Sequence, residues 1–240
     1  MNDVKAQRRV FGVIVAAGTG ERLGANRPKA LVEVGGCSML TRVLRTFAGI
    51  RKLATLVVTV TKGFEKEFER EVATESRVGR CIFGGDTRQE SVRLALGEIE
   101  RTFSPQPDDI VIIHDAARCL VSVDLLEQAI EAAVDGGAVT AAIPVTDSLV
   151  SVENYMVLTT LPRADLWRVQ TPQVFHFSLI SEAHRKSHIG ATDDAGLVRN
   201  IANVSVIPGE EMNFKITTPF DLQMANLLVG EECSSFKMEG

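Results

Sequence analysis

The sequence predicts an α/β fold: a mainly parallel sheet flanked by helices, with a β-arm that leaves the main sheet. Short apolar runs alternate with amphipathic helical segments through about residue 145, which is typical of parallel strands joined by right-handed crossovers. The runs 10–15 and 110–113 are apolar throughout, as strands buried on both faces are. The alternation of apolar runs and helical segments is interrupted between Pro144 and Pro172. We therefore interpret residues 1–240 as a single domain with an arm at about 144–172.

The elements follow from local patterns along the chain. Apolar runs predict strands at 10–15, 55–60, 81–83, 110–113, 139–143, 204–207 and, more briefly, 214–216. Apolar residues at helical spacing predict helices at 38–50, 64–72, 88–103, 123–134 and 179–186. The last helix begins at Thr218, with Pro219 in its first turn and Asp221 closing a capping box.

Two alternating runs, 148–152 and 156–161, predict a hairpin within the arm. A lone hairpin buries little apolar surface and needs a partner. The pattern leaves two partners open, namely another subunit or the hairpin's own domain. Residues 231–240 are predicted to be a disordered tail.

Composition excludes several classes of protein. The net charge is -5 and aromatic residues make up 5%, which argues against a nucleic-acid-binding protein. No apolar run is long enough to cross a membrane. The four cysteines are scattered without a CxxC pair, so we expect free thiols, and the lack of a signal sequence predicts the cytoplasm.

Three predicted strand ends carry unusual residues, and ligands bind at that edge of a parallel sheet. The first is a small-residue loop, 16–24, followed by Lys29. Small residues let backbone N–H groups approach a triphosphate, and Arg22 and Lys29 add positive charge. The loop lacks the third glycine of GxGxxG, where Leu23 stands, and it lacks a Walker A Gly-Lys-Ser/Thr. Phosphate binding is therefore favoured over a plain turn.

The second strand end, 84–91, begins with two glycines and polar groups that could read a base edge. Taken alone, a simple helix cap at Asp86 or Thr87 is the better interpretation. The third strand end places Asp115 directly after a buried strand, a natural position for a Mg²⁺ ligand. Neighbouring His114 is interpreted as a packed or hydrogen-bonded residue without a catalytic role.

Further polar positions lie outside these three strand ends. The pair Asp193-Asp194, after Thr192, is interpreted as part of a solvated turn rather than a metal site. Lys215 precedes the capped last helix and is expected to point at the same cleft.

Taken together, these pieces in this order resemble the 2-C-methyl-D-erythritol 4-phosphate cytidylyltransferases, over about residues 10–228. The segments that carry the resemblance are 15–24, 27–29, 84–86, 88–92, 114–118, 171–175, 192–194 and 213–219. It implies a Rossmann-like nucleotidyltransferase fold, CTP and Mg²⁺ as co-substrate and metal, methylerythritol phosphate as acceptor, and a homodimer joined through the arm.

The resemblance also implies residue roles. Charge at the reacting phosphates would come from Arg22, Lys29 and Lys215, with Mg²⁺ on Asp115. Nucleotide binding would use Ala16, Ala17, Gly18, Gly85, Asp86, Ser91 and Ala116. Acceptor binding would use Arg118, Ser148, Arg163, Thr171 and Thr192, with Arg163 acting across the dimer.

Three positions depart from the family pattern. Val150 stands where lysine is frequent, Cys119 where proline is frequent, and Ala30 where glutamine is frequent. None of them removes a charge at the reacting phosphate. The altered arm keeps a ribitol 5-phosphate cytidylyltransferase open as an alternative. Two more distant alternatives are a nicotinamide-dependent oxidoreductase and a non-catalytic nucleotide sensor.

Overall fold

The structure, a computed structural model, describes residues 8–186 and 191–230. The strands are β1 Val10–Val15, β2 Glu33–Val34, β3 Cys37–Ser38, β4 Leu53–Val60, β5 Val78–Phe83, β6 Ile110–Asp115, β7 Ala138–Pro144, β8 Leu149–Glu153, β9 Met156–Leu161, β10 Trp167–His176 and β11 Ser205–Pro208. The α-helices are α1 Met39–Ala48, α2 Glu65–Val72, α3 Arg88–Phe103, α4 Val123–Gly136, α5 Phe177–Lys186, α6 Asp194–Val198 and α7 Pro219–Val229. The prediction of a disordered tail at 231–240 lies outside the described residues.

A seven-stranded sheet in the order β11-β7-β10-β6-β1-β4-β5 forms the centre of the molecule. Its pairs are parallel except where β10 lies antiparallel between β6 and β7. Alternate residues of β1 enter two apolar clusters, Ile14 on one side of the sheet and Phe11 and Val13 on the other. These two clusters confirm the predicted, mainly parallel α/β sheet with helices on both faces. They also explain why β1 is apolar throughout, because a strand covered on both sides has no solvent-facing residues.

Two predictions about the strands are wrong. The segment 214–216 is not a strand, although the Ile216 N–H donates to the Ala117 carbonyl at 2.9 Å and so holds this segment beside the end of β6. The arm is also shorter than 144–172. Its hairpin is β8 and β9, which among the described residues pair only with each other. The chain rejoins the main sheet as β10 from Trp167.

The helix predictions are confirmed to within a few residues at each end. Thr218 caps α7 with the predicted capping box to Asp221. One helix was missed: α6 begins at Asp194, capped by the Asp193 side chain, where a solvated turn was expected.

Cys81 and Cys119 are free thiols. Cys37, however, is disulfide-bonded, so the expectation of free thiols is wrong at that position. Every helix in the described part of the chain is too short or too polar to cross a bilayer.

Candidate functional site

A cleft of about 380 Å³ opens at the carboxyl ends of the parallel strands. Its walls are the loops that follow β1, β5 and β6, together with the segment before α7. Predicted site residues that line it are Ala16, Ala17, Gly18, Arg22, Lys29, Gly85, Asp86, Ser91, Asp115, Ala116 and Lys215. Open α/β sheets bind ligands in the crevice at the carboxyl ends of their strands, and the candidate site lies there.

The loop after β1 is folded back on itself by backbone hydrogen bonds. The Lys29 N–H donates to the Gly18 carbonyl at 3.1 Å, which brings Lys29 back to the small-residue stretch. Gly20 has φ +84°, a left-handed conformation that glycine adopts without strain. A single helical turn at Glu21–Leu23 follows, and it places Arg22 on the cleft.

Lys29 lies among other cations. Burial, and then the neighbouring charges of Lys215 and Arg22, lower the pKa of Lys29 from 10.5 to about 8. Like charges that lie close together make each charged form more costly. Such a cluster favours an anionic ligand, because the anion would offset the repulsion.

Asp115 is the carboxylate that pairs with Lys215 and with Arg88. Lys215 Nζ lies 2.7 Å from Asp115 Oδ2, and Arg88 Nε lies 2.8 Å from Oδ1. Burial by itself would raise the pKa of Asp115, but the charges of Arg88 and Lys215 outweigh it and hold the pKa far below its usual range. Asp115 is therefore a fixed anion at any pH near neutrality.

Arg88 joins Asp115 to a second buried acid. Its Nη1 lies 2.7 Å from Asp194 Oδ2. The side chain of Asp194 is 0% exposed, and its Oδ1 also accepts a hydrogen bond from His184 at 3.0 Å. Burial would lower the pKa of Arg88, but the two carboxylates more than offset this and raise it. The solvated turn expected at Asp194 is wrong, because this carboxylate neutralises a buried guanidinium.

The site role of Arg88 was not predicted from the sequence, although Arg88 lines the cleft. It occupies the first position of α3, where the helix dipole disfavours a cation. An arginine at that position was therefore the available signal that a carboxylate partner lay nearby.

Residues behind the cleft orient Asp115. The Asp115 N–H donates to Thr171 Oγ1 at 3.1 Å, and the Thr171 hydroxyl lies 3.1 Å from His114 Nδ1. His114 Nε2 lies 3.1 Å from the Arg118 carbonyl. Burial lowers the pKa of His114 to about 4, so its ring is neutral. Because the Arg118 carbonyl can only accept a hydrogen bond, the ring proton lies on Nε2. The interpretation of His114 as a hydrogen-bonded core residue is confirmed.

The predicted acceptor residues do not line this cleft. Thr171 is buried, and its hydroxyl is occupied by the contacts behind Asp115. Arg118 donates to the carbonyls of Asn213 and Val169, at 2.9 and 3.3 Å. The other three, Ser148, Arg163 and Thr192, are exposed.

A divalent metal such as Mg²⁺ would need oxygen ligands on this cleft. No group of three or more His, Cys, Asp or Glu side chains is placed to bind one among residues 8–186 and 191–230. Mg²⁺, however, needs only one or two carboxylates when substrate phosphates and waters complete its shell. Arg88 and Lys215 occupy the two oxygens of Asp115, so this carboxylate fits a metal that arrives with a polyphosphate once the polyphosphate draws Lys215 away from Oδ2.

Comparison with known proteins gives a consistent result. Residues 10–231 match the family model described as IspD: 2-C-methyl-D-erythritol 4-phosphate cytidylyltransferase. A relative of that name from Halalkalibacterium halodurans is 37% identical over 227 residues, covering 92% of this chain and 96% of that protein. One from Streptomyces avermitilis is 38% identical over 234 residues, covering 92% of each. The solved structure of the Thermus thermophilus enzyme of this name has a TM-score of 0.73 at 34% identity, covering 90% of this chain and 97% of that one.

Proposed function

The chain belongs to the 2-C-methyl-D-erythritol 4-phosphate cytidylyltransferase family, and we propose that the cleft between its β1, β5 and β6 loops is where CTP reacts. The enzyme transfers CMP from CTP to 2-C-methyl-D-erythritol 4-phosphate in non-mevalonate isoprenoid synthesis. The products are 4-diphosphocytidyl-2-C-methyl-D-erythritol and pyrophosphate. The main support for this location is the group of cations that line the cleft at the strand ends, Arg22, Lys29 and Lys215, together with the carboxylate of Asp115.

The reaction needs positioned charge rather than a base. A phosphate oxygen of the acceptor attacks the α-phosphorus of CTP in line, one P–O bond forms, and the bond to the leaving pyrophosphate breaks. The nucleophile is already anionic near neutral pH, so no proton has to be removed. His114 is buried and neutral, which agrees with a mechanism that lacks a general base.

We assign the cations by their positions on the cleft. Lys29 and Arg22 follow the loop that approaches the phosphates, and they neutralise charge on the α-phosphoryl oxygens and on the leaving group. Lys215 neutralises the same region, since it lies close enough to Lys29 to lower the pKa of that side chain, and it pairs with Asp115 at 2.7 Å. Asp115 would hold Mg²⁺. A bound Mg²⁺ supplies charge neutralisation between CTP phosphates.

We place the acceptor pocket beside this cleft. Arg118, Ser148, Arg163 and Thr192 form its polar groups in our assignment, and Thr171 acts from behind by orienting Asp115. Val150 is exposed and uncharged. The acceptor phosphate would therefore depend on Arg118 and Arg163.

The arm supports a homodimer. Met156, Val157 and Leu158 in β9 are 62–70% exposed, and this hairpin pairs with no other strand of the described chain. Such an apolar ribbon needs a partner to be stable. A second copy of the chain is that partner in our proposal, and its Arg163 would complete the neighbouring acceptor pocket.

The oxidoreductase alternative is not favoured. Dinucleotide-binding folds place the pyrophosphate at the N-terminus of a helix that directly follows the first strand. Here β1 is followed by single turns at Glu21–Leu23 and Lys29–Leu31. Leu23 also stands in the third-glycine position, and it is buried in the core.

The deciding experiment measures pyrophosphate release from CTP with Mg²⁺, offering methylerythritol 4-phosphate and ribitol 5-phosphate in parallel. We expect release with the first acceptor only. Release with ribitol 5-phosphate alone would keep the chemistry but refute the acceptor. A folded protein that binds CTP and releases nothing with either acceptor would be a sensor rather than this enzyme.

A further inference from the structure

The loop after β5 has its backbone donors turned into the protein. The Gly84 N–H donates to the carbonyl at the end of β4 at 3.0 Å. The Gly85 N–H donates to Ser91 Oγ at 3.1 Å, and the Asp86 N–H donates to Glu90 Oε2 at 3.1 Å. Three successive amide groups are thus occupied by contacts within the chain.

Glu90 is held closely over this loop. A Cβ on Gly85 would lie 2.2 Å from Glu90 Cγ and 2.5 Å from its Cδ, so the glycine is what allows the carboxylate to reach the backbone. The Glu90 N–H in turn donates to Thr87 Oγ1 at 3.0 Å at the start of α3. The helix cap therefore fixes the side of the loop on which the Glu90 side chain lies.

This contact determines what the loop presents to the cleft. Gly85 and Asp86 line the cleft, whereas Glu90 does not. In a trans peptide the C=O and the next N–H point in opposite directions. Because the Asp86 N–H points to Glu90, the Gly85 carbonyl points away from it. None of the hydrogen bonds within residues 8–186 and 191–230 uses that carbonyl oxygen.

We propose that Glu90 is a specificity-determining residue that selects cytosine over uracil by holding the Gly85–Asp86 peptide in one orientation, with its N–H turned away from the cleft; without Glu90 this peptide can turn and present that N–H to the base. The backbone at 84–86 then offers a carbonyl acceptor, which suits the exocyclic amino group of cytosine, and none of its three amide groups is left to donate to O4 of uracil. A buried acceptor that faces another acceptor costs binding energy, so the wrong base is rejected. The inference rests on the proposed function, in which this loop holds the base of CTP.

The test compares the dissociation constants of CTP and UTP by calorimetry on the full chain. Glu90→Ala and Glu90→Met remove the acceptor oxygen while keeping good helix formers at that position. In both variants the UTP/CTP ratio of dissociation constants should fall by about tenfold, the size of one relieved hydrogen-bond mismatch. UTP should bind more tightly while CTP binding changes little.

Glu90→Gln keeps an acceptor oxygen of the same reach and should retain the wild-type ratio. Glu100→Ala, an exposed glutamate further along α3, is the matched control and should also retain it. A general loss of structure would weaken both nucleotides alike and leave the ratio unchanged, so the ratio separates specificity from stability. Thermal unfolding of each variant identifies any that does not fold, and Glu90→Met then replaces Glu90→Ala.

An unchanged ratio in folded Glu90→Ala and Glu90→Met would overturn the assignment of Glu90. So would an equal fall in Glu90→Gln. Neither result bears on the proposed reaction, which is tested separately by pyrophosphate release from CTP with the unaltered protein. If the unaltered protein binds CTP and UTP equally well, there is no selection for Glu90 to cause, and the inference fails even where pyrophosphate is released.

Discussion

Replacing Asp194 by asparagine should destabilise the protein by about 3 kcal/mol, because it leaves a buried guanidinium without one of its two anions. Asp194 is 0% exposed, and it lies 2.7 Å from Arg88 Nη1. Removing one partner of a buried ion pair typically costs about 3–5 kcal/mol. We take the lower end for two reasons. The Arg88 side chain keeps 23% of its exposure, and it still contacts Asp115 at 2.8 Å.

Asparagine has nearly the shape of aspartate, so the effect reports charge rather than packing. The Asp194 N–H would still donate to Gln173 Oε1, which it does here at 3.1 Å, and α6 should therefore keep its start. Urea unfolding followed by circular dichroism measures the change in free energy, with an unchanged m value as the sign that the folded state stays compact. For a chain of this size the melting temperature should fall by roughly 6–12 °C.

The matched control is Glu211→Gln. Glu211 pairs with Arg168 at 3.1 Å, but the two side chains are 71% and 55% exposed. Exposed pairs contribute about 0–1 kcal/mol, so this variant should unfold almost as the unaltered protein does. If Asp194→Asn costs no more than Glu211→Gln, the buried network does not stabilise the fold, and our account of Arg88 is refuted.

Three further outcomes are expected. Lys29→Ala should fold normally but lose about a hundredfold in kcat, since a preorganised charge at the reacting phosphate lowers the barrier by about 3 kcal/mol. A near-normal rate in this variant would show that Lys29 takes no part in the mechanism. Because the pKa of Lys29 is lowered to about 8, its charged fraction falls as the pH rises through that value. The kcat/KM for CTP should decrease as this charged fraction decreases. In Lys29→Arg the decrease should occur at higher pH, because arginine stays protonated. A pH profile of Lys29→Arg that matches the unaltered protein would contradict the role of the Lys29 charge. Leu158→Lys, on the exposed face of the arm, should yield monomers in analytical ultracentrifugation, and a dimer of unchanged affinity would show that the arm is not the interface.

The sequence by itself predicted the α/β order and the three loops that line the cleft. These features are local. A strand buried on both faces is apolar residue by residue, and a loop that approaches phosphates needs small residues and nearby cations within a short stretch. Residues 16–18, the pair Gly85-Asp86 and Asp115 do line one cleft. The loop 84–91 taken alone was interpreted as a helix cap, however, so Gly85 and Asp86 were assigned through the family resemblance, and the binding roles of all these residues stay predictions.

Only the tertiary structure decided how distant charges pair. Arg88 and Asp194 are 106 residues apart, and Lys215 and Asp115 are 100 apart. Asp194 looked like part of a solvated turn because its neighbours are polar, and nothing nearby in the sequence indicated a buried cation. Likewise, β10 enters between β6 and β7, so the residues after the arm belong to the sheet. Hydrophobic periodicity determines which face of a single helix or strand is apolar. It does not determine which distant segments pack together, and the burial and pairing of charges depend on those distant contacts.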